Sequence, residues 1–166
     1  MKDTKRLSIS ALMAAMCVAV MSLGSIVETM DFSLSILAGL IVMILASEYG
    51  NKTALSVFAV AGLLSMLLPV KSPAVCFLAF FGWYPVAQKR LNMLKSLLSR
   101  FVKTLLFNLS FGLVLLLSAL LTGTAEALWM YATLAVLGNV CFVLYDILLD
   151  RFLIWYLLKL RNRLRF

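Results

Sequence analysis

A chain of 166 residues that is 64% hydrophobic and only 13% charged, with a mean hydropathy of +1.06, lacks the polar surface that a water-soluble globule needs. Soluble domains carry about 45–50% apolar and about 25% charged residues, so the chain reads as one integral membrane domain, 1–166. Its net charge of +8 is clustered between apolar runs, which makes it a topology and lipid-contact signal and argues against a nucleic-acid partner.

The first apolar run, 7–27, follows a short basic amino terminus. It extends over about 20 residues with no convincing cleavage site before the acidic Glu28, so it reads as a retained first span rather than a secretory signal. Within it Ala11, Ala15 and Ala19 recur at every fourth position. That spacing sets three small side chains in one row along a helix and leaves a shallow groove for a close-packed backbone. The row suits either packing against the chain's own helices or a docking face for a separate subunit.

Span two is expected at 32–47, entered through the acidic loop of Glu28 and Asp31, with Asp31 or Ser33 placed to cap its start. Glu48-Tyr-Gly-Asn-Lys52 turns the chain into span three, 53–68, and Pro69-Val-Lys-Ser-Pro73 forms the next loop. Span four, 74–87, offers about 21 Å of helix against a hydrocarbon core of about 30 Å. It contains Gly82 and Pro85, which leaves a re-entrant or kinked segment open. Residues 89–103 place Leu91, Leu94, Leu98 and Phe101 at helical spacing among Lys89, Arg90, Lys95 and Arg100, the pattern of an amphipathic basic helix in the headgroup layer. Span five, 104–121, span six, 128–149, and a basic tail, 150–166, complete the chain. With six spans, every lysine and arginine except Lys71 falls on one side, and Glu28, Asp31 and Glu126 fall on the other. By the positive-inside rule both termini are cytoplasmic. The expected fold is therefore an all-α polytopic membrane bundle of six transmembrane helices, and the charge pattern fits a bacterial inner membrane.

Candidate sites are few. The chain has no histidine, the commonest general base and metal ligand. Cys17, Cys76 and Cys141 lie in separate apolar runs with no metal or redox spacing. No nucleophile–base pair or carboxylate pair can be assembled, which argues against an enzyme, and no phosphate-binding glycine loop is present, so ATP-driven work requires a partner. No cofactor is implied. Ionisable residues in spans are candidates by default: Asp146 reads as a coupling site or as an ion pair with Arg151, Arg100 or Lys103, and Glu48 as an interfacial anchor. Asn108 and Asn139 lie inside apolar sequence, where an amide bonds across helices or holds a ligand. On the outer side Glu28, Asp31 and Lys71 lie near Trp129 and Tyr131 if their loops converge; these, with Asn139, form the candidate substrate set, against the alternative of a solvated rim. In Phe80-Phe-Gly-Trp-Tyr-Pro85, Trp83 and Tyr84 suit stacking on a flat ligand or anchoring a helix end.

The basic amino terminus, the Ala11-x3-Ala15-x3-Ala19 row, six spans, internal termini and the length together resemble the substrate-binding S component of energy-coupling-factor transporters. The resemblance implies that the alanine row docks on a transmembrane coupling subunit, that two cytoplasmic ATPases drive the complex, and that a vitamin-like ligand or metal ion binds near the outer face. The absence of histidine argues against the cobalt and nickel branch, and the weakly polar outer half suits a small, flat or largely apolar ligand. The size and span number also resemble the small rod-shape scaffolds of the cell-wall elongation machinery, in which the same row would bind proteins and no ligand. A stand-alone permease is the third reading, weakened by the lack of a well-placed intramembrane acid.

Overall fold

The computed structural model describes the backbone of residues 2–24, 30–69, 71–122 and 128–160 and the side chains of 4–24, 30–69, 71–116 and 129–159. Among the described residues the chain is helical and contains no strand. The helices are α1 (Lys2–Gly24), α2 (Asp31–Tyr49), α3 (Asn51–Ser65), α4 (Ser72–Cys76), which runs on into a π-helical turn (Phe77–Phe81), α5 (Tyr84–Leu91), α6 (Ser96–Thr122) and α7 (Leu128–Trp155), which runs on into a second π-helical turn (Tyr156–Leu160). Four stretches are long and apolar enough to cross a membrane: Thr4–Gly24, Asp31–Tyr49, Ser96–Leu116 and Trp129–Lys159. They correspond to the expected spans one, two, five and six. The third expected span is a helix of 15 residues, about 22 Å long, and the fourth is broken.

Contacts group the chain into two compact units, Met1–Arg90 and Leu91–Phe166. In the first, α1, α2 and α3 pack on one another and on the broken segment. The core takes Ala14, Cys17 and Met21 from α1, Ala38, Val42 and Leu45 from α2, Ala54, Val57 and Ala61 from α3, and Phe77 and Val86 from the segment. Alanine, cysteine and valine make up most of this core, which lets the helices approach closely and gain van der Waals contact. Only Gly50 joins α2 to α3, at φ +87°, a left-handed conformation that glycine adopts without a Cβ clash. At this end Arg6 Nη2 donates to the Tyr49 carbonyl oxygen at 3.1 Å and to Thr53 Oγ1. A cation thus holds the last turn of α2, where the helix dipole favours positive charge.

The broken segment is buried: Phe77 and Tyr84 are fully enclosed, and Gln88 is buried. The break follows from the π turn, in which the Gly82 amide donates to the Phe77 carbonyl at 2.8 Å, and from Pro85, which is compatible with the start of α5 but not with the interior of a continuous helix. Irregular backbone at membrane depth is tolerated where protein, not lipid, surrounds it. Gly62 and Gly82 allow the close approach that encloses it. A Cβ on Gly62 would stand 2.2 Å from Leu78 Cδ2, and one on Gly82 would stand 2.4 Å from Phe58 Cδ2.

In the second unit α6 and α7 are joined along a seam of polar and aromatic contacts. Asn108 and Asn139 exchange reciprocal amide hydrogen bonds of 2.9 and 3.0 Å, Phe107 stacks on Phe142 with centroids 4.8 Å apart, and Lys103 Nζ pairs with Asp146 Oδ2 at 2.8 Å. The amphipathic helix expected over 89–103 is not one element. α5 stops at Leu91, residues 92–95 form a turn, and α6 starts at Ser96, so that Arg100 and Lys103 belong to the same helix as the apolar run after them. Asn92 explains the break: asparagine is a poor interior helix residue, and its side chain donates to Asp150 Oδ1 at 3.0 Å.

Candidate functional site

Two features of the first unit bear on function, one along α1 and one at the end where α2 begins. On α1, Ala14, Cys17, Met21 and Gly24 are buried while Ala11, Ala15 and Ala19 are exposed. The periodicity explains the split. Positions 14, 17, 21 and 24 fall on one helical stripe, and the alanine row falls on a stripe turned away from it, flanked by the exposed Leu12 and Met16. The row is therefore not used in packing α1 against α2 and α3 of the same unit.

At the start of α2, Asp31 is buried to 8% exposure, and its Oδ1 has no hydrogen-bond partner among the described residues. A carboxylate in the first helical turn interacts favourably with the positive end of the helix dipole, yet a buried acceptor without a donor costs about 1–3 kcal/mol, more when charged. Around it, Ser35 Oγ donates to the carbonyl oxygens of Asp31 at 2.7 Å and Pro73 at 2.9 Å. Gly24 lies against Pro73, whose Cγ is 3.0 Å from the position a Cβ would take, and Phe32 meets Phe81 edge to face at 6.4 Å. The end of α1, the start of α2 and the start of α4 thus converge around a carboxylate oxygen able to accept a hydrogen bond.

The expected substrate set is distributed as follows. Lys71 is exposed at the start of α4, in the same unit as Asp31, and makes no ion pair with it. Glu28 lies outside the described residues. Trp129 is exposed and Tyr131 half-buried in the first turn of α7, in the second unit. Asn139 is bonded to Asn108 and to the Ala135 carbonyl oxygen, and Asn108 in turn donates to Thr104; the pair joins two helices and holds its amide groups engaged. Tyr84 is enclosed and has no open face for a ligand, whereas Trp83 is half-buried. Tyr84 is fully buried and stacks on Phe80 at 4.4 Å, and Trp83 Nε1 donates to the Ala79 carbonyl oxygen at 2.9 Å. Asp146 takes the ion-pair role, with Lys103. Ser35 and Pro73 were not foreseen; a serine one turn into an apolar helix carries no signal of a partner 38 residues away.

Among the described residues no group of three or more histidine, cysteine or acidic side chains is placed to hold a metal ion. Comparisons with family models, with curated proteins and with solved structures find no match to this chain.

Proposed function

We propose that this chain is the substrate-binding membrane subunit of an energy-coupling-factor type importer of a vitamin or similar micronutrient. It lies in the cytoplasmic membrane with both ends inside, and α3 and the broken segment serve as short crossings between longer ones. Ala11, Ala15 and Ala19 dock on a transmembrane coupling subunit driven by two cytoplasmic ATPases. The observation that carries this reading is the division of α1 into a buried stripe and an exposed alanine row. A row of small side chains that α2 and α3 do not cover is suited to the close approach of another helix.

The ligand enters at the end where α2 begins. It is small and largely apolar, and it carries an N–H or O–H group that donates to Asp31 Oδ1. Asp31→Asn replaces a charged acceptor with a neutral one and lowers ligand affinity roughly tenfold, the equivalent of about 1.4 kcal/mol.

The docking face is tested by Ala15→Leu. Leucine fills the groove without altering the hydrophobicity that inserts the helix, so the variant accumulates in the membrane at the normal level. The fraction recovered with its coupling subunit from mild detergent falls by about tenfold or more. An undiminished complex refutes the docking face.

A further inference from the structure

The carboxylate of Asp31 is a buried charge without a counter-charge. Its Oδ1 has no hydrogen-bond partner among the described residues, and no ion pair with a described cation reaches it. The sequence explains why. Between Arg6 and Lys52 there is no lysine or arginine, so most of α1, all of α2 and the residues between them supply no cation. Arg6 is engaged at the other end of α2, on Tyr49 and Thr53, about 27 Å of helix away. Lys71, at the start of α4, is exposed and makes no ion pair with Asp31.

The polar groups beside Asp31 do not replace a cation. Ser35 Oγ directs its one proton to the carbonyl oxygens of Asp31 and Pro73, at 2.7 and 2.9 Å, and has none for the carboxylate. The start of α2 offers about half of one positive charge. A buried carboxylate left in this state is costly until a full positive charge meets it.

Aromatic surface adjoins the same corner. Phe32 follows Asp31 in the chain and is 59% exposed. It meets Phe81 edge to face, Phe81 meets Phe80 at 5.8 Å, and Phe80 meets the half-buried Trp83 at 5.8 Å. Ring faces attract cations, and that of tryptophan does so most strongly. A carboxylate next to a run of rings selects positive charge on an apolar body and rejects an anion.

We propose that the ligand of this site is an organic cation, a protonated amine on a small apolar or aromatic body, whose ammonium N–H donates to Asp31 Oδ1 and supplies the missing counter-charge. The inference rests on the reading of Asp31 as the ligand's acceptor and adds the sign of the ligand's charge. A neutral alcohol of the same shape bonds to the carboxylate but leaves its charge unpaired. A quaternary ammonium carries the charge but has no N–H, and a sodium ion has no body for the rings.

The test is thermal unfolding of the full chain in mild detergent at neutral pH and constant ionic strength. Benzylammonium is the probe, with benzyl alcohol, benzoate, benzyltrimethylammonium and sodium as comparisons. Benzylammonium raises the unfolding temperature saturably, with a midpoint about fivefold or more below those of benzyl alcohol and benzyltrimethylammonium. Benzoate and sodium give no saturable rise. D31N weakens the benzylammonium midpoint about tenfold, and K52Q, at the far end of α2, leaves it unchanged. Helical circular dichroism identifies a variant that has lost its fold; D31E, which keeps the charge but moves it, then serves as the second probe, with an intermediate midpoint. Equal midpoints for benzyl alcohol and benzylammonium, both weakened in D31N, overturn the cation and leave Asp31 as the acceptor of a neutral ligand. Midpoints insensitive to D31N and D31E overturn the site as well. A saturable rise with sodium alone assigns the carboxylate to an inorganic cation, and that result, like the absence of any rise, overturns the proposal.

Discussion

Individual glycines in this protein differ in what surrounds them, and their substitutions separate accordingly. At Gly82 a Cβ would lie within 2.8 Å of atoms in two packed rings, Phe58 and Phe77, which are in contact with each other at a centroid separation of 5.5 Å. Neither ring can yield without disturbing the other. Gly82→Ala is expected to lower stability by about 1–3 kcal/mol, the range for overpacking. Gly112 on α6 has open space where a Cβ would stand, so Gly112→Ala is expected to be neutral or to stabilise by up to about 1 kcal/mol through helix propensity. Thermal unfolding of the two variants in the same detergent checks both; equal losses would show that the broken segment is not tightly enclosed.

At the scale of elements, the α6–α7 seam makes a sharper demand. Asn108 and Asn139 satisfy each other, so truncating one leaves an amide without its partner. Asn108→Leu and Asn139→Leu are each expected to cost about 0.6–2 kcal/mol, and the double variant less than their sum, because the second substitution removes a group already orphaned. Additive losses in a double-mutant cycle would contradict the pairing. The seam also marks how far sequence reading reaches. Apolar run length located the four long helices, since about 20 apolar residues leave few alternatives to a spanning helix. It could not locate the end of α5 or the start of α6: Leu91, Leu94, Leu98 and Phe101 fit one helical period, and the interruption rests on Asn92 bonding to a residue 58 positions away. Tyr84 was misread for a related reason. An aromatic pair beside Gln88 and Lys89 resembles an interfacial anchor, and only the π turn and the helices packed on it place Tyr84 at zero exposure. The alanine row was legible as a feature, but its exposure in the first unit depends on the rotation of α1, which Cys17 and Met21 set by filling the core.

For the molecule as a whole, topology and partnership are the claims that decide function. If α3 crosses despite its 15 residues, Lys52 and Lys71 lie on opposite sides of the membrane. In a background without the native cysteines, Lys52→Cys is then labelled by an impermeant thiol reagent only from the cytoplasmic side, and Lys71→Cys only from outside; labelling of both from one side would reduce the chain to fewer crossings. The central claim is that this chain works as the docking and ligand-binding part of an ATP-driven complex. It is tested most directly by affinity purification of the tagged chain from its native membrane in mild detergent, followed by identification of the co-purifying proteins. The account predicts one further membrane protein and two ATPases, recovered with the wild-type chain and depleted with Ala15→Leu. Recovery of cell-wall elongation proteins without any ATPase would contradict it and favour a scaffold.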